Sequence, residues 1–289
     1  MAGVAVVSDT TAYLPRDVVE ANQIHLVSLY VNYGPERVER EAEIADFQAF
    51  YEELRSAEQL PATSQPSVGD FMEVYEPLLA DGDHVFSIHI SEGISGTCGS
   101  ARQAAEQLER EGKGGERVRV FDSTTAAGGH GLMALVAARM AADGGSIDAV
   151  SERVAEARSK LKMWFAVDTL EYLKRGGRIG AASAWIGSTL RIKPILTLES
   201  EMVPVERVRT SARAFDRMVA YARQRQASGA DAWVVQHIQS PDAAGRLAEN
   251  CREIFGREPV FFSEIGPVLG AHTGPGLLGV GSVPSRFLD

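Results

Sequence analysis

The 289-residue chain is 45% hydrophobic and 24% charged, a balance that suits a globular protein able to bury one large core or two smaller ones and that leaves no stretch reading as disordered. Its 39 acidic against 29 basic residues give a formal charge of −10, which repels nucleic-acid phosphates and argues against general nucleic-acid binding. No segment approaches the roughly 18 uninterrupted apolar residues of a membrane span, so no stable membrane insertion is expected. Residues 1–9 carry no basic leader, and the two cysteines, Cys98 and Cys251, lack metal or redox spacing. Both features predict a reducing, cytoplasmic setting with no disulfide, and the scattered histidines predict no metal site.

Residues 4–8 form a short apolar run ending in Ser8-Asp9-Thr10-Thr11, read as a first strand, and Pro15 then opens a helix. A second strand is expected at 24–31, and Ile44, Phe47, Phe50, Tyr51 and Leu54 recur at helical spacing. After Thr63-Ser64-Gln65-Pro66 a helix starts at Ser67, where Ser67 and Asp70 have capping-box spacing. Its apolar face carries Phe71, Val74, Tyr75, Leu78 and Leu79. Strands at 84–90 and 118–121 alternate with helices at 97–108 and 132–142, which predicts βαβ units and a mainly parallel sheet.

Past a helix at 147–160 the pattern changes. A strand at 164–167, a short helix at 170–174 and a small-residue helix at 181–190 precede a hairpin, 195–198 with 203–208, around Glu199-Ser200-Glu201. Helices at 211–224 and 243–255 and strands at 233–236 and 260–265 complete the chain. The predicted fold class is α/β in two domains. Residues 1–160 form an N-terminal, mainly parallel α/β domain, and residues 161–289 a C-terminal α+β domain with antiparallel pairing.

Polar segments beyond strand ends are where such folds keep ligands. Ser8-Asp9-Thr10-Thr11 reads equally as a ligand loop or a helix cap. In Thr63-Ser64-Gln65-Pro66-Ser67 the proline holds Gln65 extended, and a cap would need only Ser67, so Thr63 and Ser64 are candidate ligand donors. Ser91-Glu92-Gly93-Ile94-Ser95-Gly96-Thr97 leads from a strand straight into a helix, whose free N–H groups suit an anion such as a carboxylate. Gly93-Ile94-Ser95-Gly96 is not a nucleophile elbow, because Thr97 stands where the second glycine belongs. Lys174-Arg175-Gly176-Gly177-Arg178 opens a basic stretch. Between residues 172 and 213 Lys174, Arg175, Arg178, Arg191, Lys193, Arg207, Arg209 and Arg213 face only Glu199, Glu201 and Glu206. Together these cations could hold a phosphate or dock an acidic partner. Finally His272 lies in a glycine- and proline-dense stretch, 266–276, read as a loop.

Taken in order, these segments resemble the DegV family of fatty-acid-binding proteins, the lipid-binding subunits of bacterial fatty acid kinase. The resemblance spans nearly the whole chain and adds Asp122-Ser123, Tyr172-Leu173-Lys174-Arg175-Gly176-Gly177-Arg178 and Ile192-Lys193-Pro194-Ile195. It implies a long-chain fatty acid held between two domains, with Thr63, Ser64, Ser95, the Gly96 amide and His272 around its carboxylate. It also implies that Arg175, Arg178 and Arg209 serve phosphoryl transfer or contact a partner. That partner would be a separate catalytic subunit that uses ATP to make an acyl phosphate for phospholipid synthesis. The chain would thus be a binding subunit with no cofactor and no catalysis of its own, in keeping with the absence of a phosphate-binding G-x-x-x-x-G-K-[ST] loop. Cys98 stands where the family often has an aromatic, and the second half of residues 122–128 departs from the family pattern. The alternative reading is a stand-alone hydrolase or transferase for a small anionic metabolite, with His272 as base, and it predicts a short, polar cavity.

Overall fold

The computed structural model describes residues 3–186 and 192–289. The end of the helix expected at 181–190, and Arg191, lie outside the described residues.

The N-terminal half is built on a four-stranded parallel sheet of β1 (Val4–Asp9), β2 (Ile24–Val27), β6 (His84–His89) and β7 (Val118–Asp122), in the order β2-β1-β6-β7. Around it run α1 (Arg16–Ala21), α3 (Val68–Ala80) and α4 (Thr97–Arg110), while α2 (Phe47–Ser56) packs instead against Leu29, Val31, Ile265 and Val268. Successive strand residues face opposite ways, and the two faces are filled accordingly. Val7 and Val85 pack on Phe71, Tyr75 and Leu79 of α3 and Ala101, Ala104 and Leu108 of α4. Val6, Phe86 and Ile88 face α5 (Ala127–Ala142) and α6 (Ile147–Lys160). The capping box predicted at Ser67 is present: Asp70 N–H donates to Ser67 Oγ at 3.1 Å and Ser67 N–H to Asp70 Oδ2 at 2.7 Å.

The run 24–31 is not one strand. It breaks at Ser28-Leu29, and β3 (Tyr30–Gly34) joins β4 (Arg37–Arg40) and β5 (Ala62–Ser64) in a separate antiparallel sheet, order β4-β3-β5. The uninterrupted apolar pattern hid that change of sheet.

The second half forms a six-stranded sheet in the order β10-β9-β8-β13-β11-β12. Its strands are β8 (Lys162–Ala166), β9 (Lys193–Glu199), β10 (Glu201–Val208), β11 (Ala232–His237), β12 (Phe261–Glu264) and β13 (Leu278–Val283), with only β11 and β12 parallel. One face carries α8 (Ser211–Ala227) and α9 (Pro241–Phe255), packed on Trp233, Val235, Ile195 and Val280. The opposite face turns Ala232, Val234 and Val283 toward α5.

Helix α5 is therefore a shared middle layer, buried from Ala127 to Ala138. A helix covered on all sides shows no apolar stripe, which is why sequence reading began it five residues late. Its glycines let the layers close: a Cβ on Gly131 would come within 2.8 Å of the Phe261 ring.

Two short helices complete the chain, α7 (Glu171–Arg175) and α10 (Pro267–Thr273). The second corrects the loop expected at 266–276, because Pro267 starts a helix at its first position and Gly274 ends it with φ 74°. From the small-sheet side, Val268 N–H donates to Glu41 Oε1 at 2.8 Å and Tyr51 Oη–H to the Ile265 carbonyl at 2.7 Å.

Candidate functional site

Helix α10 brings His272 to the small sheet. His272 Nε2 lies 2.7 Å from Thr63 Oγ1 on β5. On its other side the ring rests on the bare Cα of Gly176, where a Cβ would stand 2.2 Å from Nδ1. Nδ1 is buried and has no hydrogen-bond partner among the described residues. An orphaned N–H is rarer than an orphaned acceptor, so the proton belongs on Nε2, where it is donated to Thr63 Oγ1. Thr63 is thereby left with its own hydroxyl hydrogen free to donate to an anion. Burial, helped by the nearby Arg178 cation, lowers the His272 pKa to about 4, so the ring is neutral at pH 7.

Thr63, Ser64, Ser95, Arg178 and His272 line one chamber, floored by Leu29, Ile90, Ile94 and Val268. Ser95 Oγ pairs with Thr97 Oγ1 at 2.8 Å, and Ser64 Oγ accepts from Asn32 Nδ2 at 3.3 Å. Among the described residues no histidine hydrogen-bonds Ser95 Oγ, and His272 is engaged with Thr63, which fits a hydrogen-bonding role for Ser95 better than a nucleophilic one. Gly96 caps α4 and packs on the Gln65 amide, with a notional Cβ 3.0 Å from Gln65 Nε2, and its residue lies outside the chamber lining.

Arg178 reaches across the chamber mouth, donating from Nε to the Ile94 carbonyl at 3.2 Å and from its terminal nitrogen to the Gly176 carbonyl at 2.9 Å. Among the described residues no carboxylate comes within 4.0 Å of it, so its charge faces the chamber uncompensated. Arg175 and Arg209 are not brought to the chamber. Arg175 is exposed and donates to the Glu58 carbonyl at 2.8 Å, and Arg209 is exposed beyond β10.

Sequence reading did not find the second chamber. An apolar chamber, lined by Ala126, Met163, Phe165, Val234 and Leu277 among others, adjoins the first, and both are bounded by Met202, Leu269 and Thr273. Strand alternation builds it. Met163 and Phe165 point in while Trp164 and Ala166 point to α8 and α9, and Gly279 and Gly281 contribute no side chain at all. The result is a hydroxyl-lined chamber beside an apolar one, where the enzyme alternative called for a short, polar cavity.

The Ser8-Asp9-Thr10-Thr11 segment resolves as a cap. Asp9 is fully buried, accepts Thr11 N–H at 3.0 Å, and joins His89 Nδ1 at 3.0 Å and Ile90 N–H at 3.1 Å, and none of the segment's four residues lines either chamber. Burial pushes its carboxyl up, but the charges of His130 and His89 and the hydrogen bonds from His89 and Thr11 outweigh this and set it to about 2.

A profile of the DegV family, described as uncharacterised proteins, matches residues 3–285. The chain belongs to the DegV family. A DegV domain-containing protein of Streptomyces coelicolor is 38% identical over 280 residues, 96% of this chain and 97% of its own length. Among solved structures, a DegV protein of Thermus thermophilus described by its fatty acid binding superposes with a TM-score of 0.86 at 33% identity, covering 98% of this chain and 99% of its own. DegV of Bacillus subtilis, described as a fatty acid binding protein, superposes with a TM-score of 0.87 at 34% identity, again over 98% and 99% of the two chains. The mixed α/β fold expected from sequence is thus the DegV fold.

Proposed function

We propose that this DegV protein binds a long-chain fatty acid, with the carboxylate in the hydroxyl-lined chamber and the tail in the apolar one. The observation that carries the reading is the adjacency of the two chambers, which share Met202, Leu269 and Thr273 as walls. It joins two demands, anionic head and long apolar tail, that a fatty acid meets together. The fatty acid binding described for the Thermus and Bacillus relatives supports it.

Affinity comes mainly from the tail. At about 0.8 kcal/mol per methylene, a chain of roughly 14 methylenes supplies about 11 kcal/mol of gross driving force, of which ordering the ligand cancels several. The head chamber fixes polarity and register. Thr63, polarised by the neutral His272, and Ser95 donate to the carboxylate, and the Ser64 hydroxyl in the same lining is a third donor. Hydroxyl donors satisfy the buried charge without neutralising it, so a carboxylate oxygen stays nucleophilic.

We further propose that the bound acid is presented to a separate ATP-using kinase subunit. There a carboxylate oxygen forms a bond to the γ-phosphorus as the bond to the ADP oxygen breaks, giving an acyl phosphate. Arg178 at the mouth is placed to steady the incoming phosphoryl group, and Arg175 and Arg209, exposed and outside the chamber, are available to the partner surface. This makes the protein a cytoplasmic lipid-presenting subunit of phospholipid metabolism, non-catalytic alone and without a cofactor. The test is reconstitution with palmitate, Mg-ATP and a bacterial fatty acid kinase catalytic subunit, trapping acyl phosphate as hydroxamate. Product is expected only with both proteins present, and Arg178→Gln is expected to lower its rate at least tenfold while palmitate binding stays within a few-fold. Hydroxamate formed by this chain without the kinase subunit would overturn the presenting role.

A further inference from the structure

One residue of the apolar chamber's lining carries a buried polar atom left unsatisfied among the described residues. Gln236, on β11, is 2% exposed and lines the chamber. Its Nε2 donates to Ser263 Oγ at 2.9 Å, and Ser263 Oγ uses its own hydrogen on the Tyr13 carbonyl at 2.6 Å. Ser263 can then only accept from Gln236, which fixes the amide with its NH2 toward Ser263 and its carbonyl turned away. That carbonyl, Oε1, is buried with no hydrogen-bond partner among the described residues. It lies against the bare Cα of Gly128, where a Cβ would stand 2.9 Å from it. Thr273, the other polar residue of the lining, is already satisfied, donating to the Leu269 carbonyl at 2.8 Å.

A pocket serving only methylenes would be better lined by valine or leucine at this position, because an unpaired buried carbonyl costs stability and gains nothing from a hydrocarbon. Strand register gives its depth. Gln236 pairs with Gly279, and Gly279 with Phe165 across β13, while Val234, Gly281 and Met163 form the next row inward. Rows two residues apart are separated by about 7 Å along the strand. Oε1 therefore stands part-way along the tail, with lining residues both before and beyond it.

We propose that this chamber selects an acyl chain bearing a hydroxyl on its middle section, with that hydroxyl donating to Gln236 Oε1. The inference rests on the fatty-acid reading of the site and names the ligand class within it. A hydroxyl buried anywhere else along the hydrocarbon lining would lose its hydration with nothing in return, so the acceptor discriminates by position as well as by chemistry.

The test is competition binding of palmitic acid and a series of positional hydroxypalmitic acids, from the seventh to the twelfth carbon, to the full chain and to Gln236→Leu and Gln236→Met. The full chain is expected to favour one mid-chain isomer over palmitic acid by about three- to tenfold, the worth of one neutral hydrogen bond. Both variants are expected to lose the preference, with the ratio of hydroxypalmitic to palmitic acid affinity falling to one or below. An isomer series in which none surpasses palmitic acid, as when a trapped water satisfies Oε1, would overturn the proposal and leave fatty-acid binding intact. So would a preference that survives in both variants. Failure of the full chain to bind any of these acids would overturn the fatty-acid reading and this inference with it.

Discussion

Replacing Thr63 by valine separates the head chamber's chemistry from its shape. Valine keeps the β-branched side chain that strand β5 (Ala62–Ser64) accommodates, so the backbone has no reason to move. What disappears is one hydroxyl, with two consequences. The carboxylate loses a charge-assisted hydrogen bond, worth about 1.5–3 kcal/mol, which corresponds to roughly 10- to 150-fold in affinity. His272 loses the acceptor 2.7 Å from Nε2 while Nδ1 already has none, which destabilises the unliganded fold by about 1–3 kcal/mol. Thr63→Ser retains the hydroxyl and is expected to bind within a few-fold of the unaltered protein. Titration calorimetry with palmitate, alongside thermal unfolding without ligand, reads both effects. Valine and serine variants that bind palmitate equally, at the affinity of the unaltered chain, would refute the hydroxyl cradle and the tautomer assigned to His272.

Ala126 borders the apolar chamber and is 6% exposed, so Ala126→Phe is expected to fill tail space, weakening palmitate binding at least tenfold while a ten-carbon acid is less affected. Competition binding across chain lengths checks this, and an equal loss for both lengths would mean the phenylalanine acts elsewhere. Glu41 is 4% exposed, and burial raises its carboxyl to about 7 against the hydrogen bonds from Thr10, Val268 and Tyr13. A folded-state pKa above the unfolded value of about 4.5 means a contribution complete below pH 4.5 and lost as pH rises through 7, about 3 kcal/mol in all. Thermal stability measured from pH 5 to 8.5 is therefore expected to carry a falling component that Glu41→Gln removes, and identical profiles would contradict the assignment.

Legibility from sequence followed the physics of each segment. The capping box at Ser67, the hairpin around Ser200 and the alternation of strands and helices to residue 160 were readable because local patterns decide them. Helix α5 began too late in the reading because total burial erases periodicity, and β13 was missed because Gly279 and Gly281 interrupt its apolar run. Those same glycines open the tail chamber, so the feature that hid the strand is the one the site uses. Thr63, Ser64, Ser95, Arg178 and His272 were legible as polar residues beside strand and helix ends, and they do line one chamber. Arg175, Arg209 and Gly96 stand outside its lining. Gln236 gave no signal at all, since a lone glutamine within a strand has no motif, and only its orphaned carbonyl marks it.

The central claim, that these chambers hold a long-chain fatty acid, is tested most directly by mass spectrometry of the purified protein, native and then denatured, with extraction of small acids. The account predicts a non-covalent mass increment that resolves on denaturation into one or a few long-chain acids, and uptake of added palmitate by delipidated protein in a one-to-one ratio. A protein that carries no such acid and takes up neither palmitate nor oleate would contradict it.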